Sequence, residues 1–267
     1  MGRWVNFPFR MNKLLLIFLA ACPFHLPAFA QPGCTDPFAG NYNPVATTNN
    51  GSCVYNSVTY TPFVKVDPLS DSVIETSGLQ FANGELWTIN DKNGKPQLYR
   101  IDTLTNTIKQ RVYLNGVIND DWEDLAFDGT FFYVGDFGNN LTGGRTDLKI
   151  YKFLFSAIDL TDITDTIQAN EIETIHFTYS DQPQPATASG YNNTRYDCEA
   201  MLVENDKIHL FSKNWADNIT THYVINSTDA GNYTANATES YPVGYMVTAA
   251  AKVAGQNIIA LIGYVNS

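Results

Sequence analysis

Residues 121–136 read Asp121-Trp122-Glu123-Asp124-Leu125-Ala126-Phe127-Asp128-Gly129-Thr130-Phe131-Phe132-Tyr133-Val134-Gly135-Asp136, and this stretch decides the fold. One apolar run enters Asp128-Gly129 and a second leaves it. Asp-Gly between two such runs signals a β-hairpin, because both residues tolerate the positive φ of a tight turn. The pattern recurs three times. Residues 77–81 pass through Asn83-Gly84 into 86–91, residues 199–203 pass through Asn205-Asp206 into 208–213, and residues 248–252 pass through Gln256-Asn257 into 258–264. Third strands are predicted at 97–102, 148–153 and 221–225, and fourth strands at 107–114 and 173–179. The repeats start at 77, 123, 199 and 248, so the intervals are 46, 76 and 49. Two of these match the period of a four-stranded propeller blade, about 40–50 residues. The long interval carries an insertion, placed at 161–171 and 180–194. A β-sandwich is the competing all-β architecture, but it does not require this recurrence.

The sequence therefore predicts an all-β chain whose residues 57–267 form β-propeller blades. Four repeats begin there, residues 57–66 offer a closing strand, and the last repeat stops after two strands. The expectation is an incomplete ring, about four blades of a six-bladed fold, truncated at its C-terminus.

Composition narrows the function. Among 267 residues, 16 Lys+Arg face 27 Asp+Glu, for a net charge of −11. No basic stripe is available to neutralise phosphates, which argues against a nucleic-acid partner. Beyond the N-terminus no apolar run reaches the roughly 18 residues of a membrane-spanning helix. The N-terminus itself reads as a signal peptide over 1–30: Met11-Asn12-Lys13, an apolar run from Leu14 to Ala21, then Ala28-Phe29-Ala30 as a cleavage pattern. Leu19-Ala20-Ala21-Cys22 offers the rival reading of a lipobox with a lipid anchor at Cys22. Either way the chain is exported.

Export makes cysteine pairing meaningful. Cys34 and Cys53 bracket a stretch without helical or strand period, and a disulfide there would stabilise it by roughly 3 kcal/mol on the loop-entropy estimate. Residues 31–56 are thus expected to form a small disulfide-closed module. Cys198 is left over, and it reads as a buried strand residue.

Gly33-Cys34-Thr35-Asp36-Pro37, Asn41-Tyr42-Asn43-Pro44, Ala46-Thr47 and Asn50-Gly51-Ser52-Cys53 together resemble a small "CTDPxAxNYNPxAT…DGSC" module of exported bacterial proteins. Within that element Asp36, Asn41 and Asn43 read either as Asx-turn formers or as calcium ligands. Asp121-Trp122-Glu123-Asp124-Leu125-Ala126, Tyr133-Val134-Gly135-Asp136-Phe137-Gly138-Asn139-Asn140, Arg145 and Ile150-Tyr151-Lys152 resemble a family of secreted bacterial propellers carrying "DWEDIA" and "YVGDFGNN" motifs. Tyr196-Asp197-Cys198-Glu199-Ala200-Met201 and Phe211-Ser212-Lys213-Asn214-Trp215 are similar to its "YDAEAL" half, with Cys198 in place of Ala. The resemblance covers about 77–264. It implies secretion to the medium or cell surface of a Gram-negative bacterium, often through a type IX system whose sorting domain is not found in this sequence. Phytase-like and lactonase-like propellers, which hold a metal in the central channel, offer a more distant, fold-level likeness.

Stacking the repeats stacks acids. Glu75, Asp121 and Asp197 lie two residues before the register of Ser77, Glu123, Glu199 and Thr248, and residues two apart on a strand share a face. If these strands line a channel, the carboxylates converge, and a cation is needed to balance them. Oxygen ligands suit calcium. The metal-ligand candidates are therefore Glu75, Asp121, Glu123, Asp136, Asp197 and Glu199, with Asn90, Asp91, Asn139 and Asn140 at the rim. The alternative is that these acids cap strand ends and hydrogen-bond neighbouring sheets.

Nucleophile-elbow, zinc-helix and P-loop motifs are absent. His176, His209 and His222 each sit alone within strand-like runs. Trp87, Trp122 and Trp215 read as packing between blades, with Trp122 also a candidate platform for a sugar. Two functions follow. The first is an exported propeller with an acidic, calcium-binding channel that binds a small molecule, glycan or surface polymer. The second is a metal-dependent lactonase, esterase or phosphoesterase in which Glu123, Asp197 or Glu199 acts as base. No Lys or Arg cluster adjoins these acids in sequence, which favours neutral substrates over phosphoesters.

Overall fold

The computed structural model describes residues 30–56, 59, 61–64, 69–91, 94–253, 255–256 and 258–265. Residues 1–29 of the expected signal segment, Cys22 included, lie outside them. So does half of the proposed closing strand at 57–66; its described residues, 59 and 61–64, are not in strand.

The described chain is all-β, with two short 3-10 turns and no α-helix. A small parallel pair, β1 (Pro32–Gly33) and β2 (Thr48–Asn49), precedes the body. Cys34 and Cys53 are disulfide-bonded across it. Asp36 Oδ1 accepts from Phe38 N at 2.9 Å and Asn43 Oδ1 from Val45 N at 3.2 Å, so both side chains make Asx turns.

Antiparallel meanders follow. The first is β3 (Thr76–Ala82), β4 (Glu85–Asn90), β5 (Gln97–Ile101) and β6 (Ile108–Leu114). The second opens with β7 (Trp122–Phe127), β8 (Phe131–Asp136) and β9 (Lys149–Leu154). β10 (Thr164–Ile167), inside the expected insertion, pairs parallel with β6, and β11 (Glu173–Tyr179) closes the second meander against β9. The third is β12 (Cys198–Glu204), β13 (Lys207–Ser212), β14 (Thr220–Ile225) and β15 (Gly231–Tyr241). A last hairpin comprises β16 (Met246–Lys252) and β17 (Ile259–Tyr264). The turns use the expected chemistry: Asn83 and Gly84 have φ of 48° and 82°, Asn205 and Asp206 of 52° and 57°.

The first strands of successive meanders lie side by side, β3 beside β7, β7 beside β12 and β12 beside β16. Apolar layers fill the spaces between sheets. Trp87, Trp122, Phe132 and Phe153 are wholly buried in the layer that joins the first and second meanders. Trp122 is inaccessible there, which rules out its role as a sugar platform. Phe137, Ile150, Ile175, Ile208, Leu210 and Tyr223 fill the next layer, and Ala200, Phe211 and Val247 the one beyond.

β15 joins two meanders. Its first half pairs parallel with β11 and its second half antiparallel with β14, so the second and third meanders form one eight-stranded sheet. The far edges of that sheet, β7 and β12, meet again, where Asp124 Oδ2 accepts from Met201 N at 2.6 Å. The sheet is thereby nearly closed on itself.

Each first strand carries a β-bulge, at Gly78, Glu123, Glu199 and Thr248. The equivalence is structural and shifts the sequence register at its first member, from Ser77 to Gly78. Gly78 has a φ of 57°, and a Cβ there would come within 2.6 Å of Leu125 N, so glycine is what lets β3 approach β7.

Candidate functional site

The bulges of β7 and β12 lie at the start of those strands, where the loops after β4, β8 and β13 converge. Asp121 and Glu123 both point at Gly138, just beyond β8. A Cβ on Gly138 would fall 2.4 Å from Asp121 Oδ2 and 2.4 Å from Glu123 Oε1. Asp91, just beyond β4, completes a group: one carboxylate oxygen from each of Asp91, Asp121 and Glu123 lies within 4.8 Å of the others.

Specific contacts set this geometry. Asn119 Nδ2 donates to the carbonyls of Asn90 and Asp91 at 3.1 and 3.0 Å, while its Oδ1 accepts from Trp122 N at 3.2 Å. One buried amide thus ties the end of β4 to the start of β7. Asp91 N donates to Glu75 O at 2.8 Å. Ser77 Oγ donates to Glu123 O at 2.6 Å across the two meanders.

Asp136 is fully buried and supports the site from behind. Its Oδ1 accepts from Asp121 N at 3.2 Å and from Arg145 Nη2 at 2.9 Å, and Lys149 Nζ lies 3.6 Å from its Oδ2. Arg145 Nη1 also donates to Gly138 O at 2.8 Å, fixing the loop that faces Asp121 and Glu123. Asp197 is likewise buried: Oδ1 accepts from Asn139 N and Oδ2 from Trp215 Nε1, each at 2.7 Å. Asp136 and Asp197 therefore hold loops and do not join the three-carboxylate group.

Glu75 is exposed and stays outside the group as well. It sits three residues before the bulge at Gly78, whereas Asp121 and Asp197 sit two before theirs. A one-residue slip turns a strand side chain to the opposite face.

Glu199 lies beside the group and is paired with Lys213, which itself packs 4.4 Å from the Trp215 ring and 5.0 Å from that of Tyr264. Burial raises the Glu199 carboxyl to about 7, with Lys213 opposing the rise and Asp197 and Asp91 adding to it. Glu123 is pushed well above its ordinary value, first by burial and then by the charges of Glu199, Asp197, Asp91 and Asp121. The acids do converge electrostatically.

The sequence shows no Lys or Arg cluster beside these acids, and the fold brings single cations to them from elsewhere in the chain, Lys213 to Glu199 and Arg145 to Asp136, which the sequence pattern did not reveal. Nor did it reveal the histidine pair. His209 and His222, isolated in sequence, meet across β13 and β14 with Nδ1 and Nε2 2.9 Å apart. The chain matches no protein-family model and no curated protein.

Proposed function

We propose that this chain is an exported β-propeller whose first strands line an acidic axial channel, and that Asp91, Asp121 and Glu123 hold a calcium ion there for an extracellular small molecule or glycan. The observation that carries this reading is the set of three carboxylate oxygens within 4.8 Å of one another. Calcium–oxygen distances of about 2.3–2.6 Å place ligand oxygens at most about 5 Å apart, so a single ion spans the group, with water and ligand completing its shell. The propeller reading rests on side-by-side first strands and on a bulge recurring at the equivalent place in each.

The Cys34–Cys53 disulfide accords with an oxidising, extracellular setting; export by a Gram-negative cell to its surface or medium through a type IX route is part of the proposal. No described helix is long and apolar enough to cross a membrane. On this reading residues 31–56 are a separate module ahead of blades that begin at residue 57.

Calorimetric titration with calcium chloride tests the reading. The expected result is saturable binding of one ion, at the affinity of about 10⁻⁴–10⁻³ M usual for extracellular modules. Asp121→Asn and Glu123→Gln should each abolish the signal. Unchanged binding in both variants would sink the assignment.

A hydrolytic reading is favoured by one observation: Glu199, hydrogen-bonded by Lys213, stands next to the three carboxylates. It has the placement of a general base beside a metal-polarised lactone or ester. Turnover of a lactone panel that needs calcium and disappears in Glu199→Gln would select this reading over binding alone.

A further inference from the structure

A cavity of about 540 Å³ lies away from the acidic group, between the disulfide-closed segment and residues of β13, β14, β15 and β17. That volume is typical of small-molecule sites. Its walls carry the rings of Tyr55, Phe211, His222, Tyr241 and Tyr245.

Two carboxylates, Asp36 and Glu239, also line it, and each accepts a hydrogen bond from a wall tyrosine. Tyr55 Oη donates to Asp36 Oδ2 at 2.6 Å, and Tyr241 Oη donates to Glu239. These neutral donors hold the carboxylates in place without balancing their charge. No lysine or arginine is among the described lining residues. His222 supplies no charge either, since burial and the neighbouring His209 push it down to about 4 against the opposing pull of Glu239.

We propose that this cavity binds a small organic cation, an alkylammonium group seated against the aromatic rings and balanced by Asp36 and Glu239. The negative faces of aromatic rings attract a cation whose weak hydration makes it easy to bury. An anion would meet two carboxylates. A neutral sugar could stack on the rings but would gain no Coulombic attraction from the half-buried Asp36 and the exposed Glu239. A bare metal ion would find too few converging oxygens among so many rings. The site shares no residue with the proposed calcium group.

The test is titration with choline, with its uncharged isostere 3,3-dimethylbutan-1-ol and with maltohexaose, followed by calorimetry. Working in EDTA keeps the axial acids out of the readout. Choline should bind saturably and at least about tenfold more tightly than the alcohol. Asp36→Asn and Glu239→Gln should each weaken choline about tenfold, with circular dichroism showing a retained fold. Asp36→Asn is the cleaner variant, because an amide oxygen can still accept from Phe38 N. Equal binding of choline and the alcohol, preference for maltohexaose, or no choline binding would each overturn the proposal.

Discussion

Gly138 shows how one missing side chain shapes a site. Its Cα faces the carboxylate ends of Asp121 and Glu123, and both are flexible groups that can move aside. Gly138→Ala should therefore fold with a Tm within a few degrees of the parent. The new methyl group would nonetheless displace both carboxylates and weaken calcium binding by at least about tenfold, the cost of losing roughly 1.4 kcal/mol of ligation. Paired thermal melts and calcium titrations check both halves, and undiminished affinity would contradict the placement of these acids. At this scale Asp121 and Glu123 were legible in the sequence because each stands at or next to a strand start in a repeated pattern. Asp136 and Asp197 looked equivalent to them. Their roles were hidden because Arg145, Asn139 and Trp215 reach them from loops whose path no local pattern specifies.

Between elements, Asp124 is the latch. Its carboxylate accepts from Leu125 N at 2.8 Å and from Met201 N at 2.6 Å, joining β7 to β12. Asp124→Asn keeps one acceptor and turns an amide N–H₂ toward a backbone donor. Leaving a buried group unsatisfied costs about 1–3 kcal/mol, and urea denaturation should show a loss of that size. A variant as stable as the parent would mean that the two strands are held by packing alone.

The hairpins themselves were readable from Asn, Asp and Gly at tight turns between apolar runs, and the third and fourth strands from their alternation. β10 and β15 were not. β15 is mostly exposed, the apolar members of its alternation are only Tyr233, Ala235 and Ala237, and its first half pairs with β11, a strand distant in sequence. The bulges leave the hairpin pattern of the sequence unchanged, and the one at Gly78 accounts for the misplacement of Glu75.

For the molecule as a whole, acid should be destabilising through the histidine pair. His222 stacks on Phe211, with ring centroids 4.8 Å apart, and on His209 at 5.1 Å. Its Nδ1 lies 3.1 Å from Thr238 Oγ1, whose hydroxyl donates to His222 O at 2.9 Å. Nδ1–H to Thr238 with Nε2 accepting from His209 satisfies the neutral ring fully. Burial lowers both histidines, and in the folded state His222 falls to about 4 from an unfolded value near 6.5. A depressed folded pKa means that the stabilisation is complete above pH 6.5 and is lost as pH falls toward 4, because the unfolded chain takes up the proton first. The His222 ring resonances should stay at their neutral positions down to about pH 5. A midpoint near 6.5 would contradict the pairing.

Carboxylates from separate sheets, Asp91 after β4 and Asp121 and Glu123 at β7, are proposed to meet around one ion. Diffraction from crystals soaked in terbium, an anomalous scatterer that substitutes for calcium, tests that claim most directly. One anomalous peak is expected about 2.3–2.6 Å from oxygens of Asp91, Asp121 and Glu123. A peak elsewhere, or those three side chains turned away from one another with no ion between them, would contradict it.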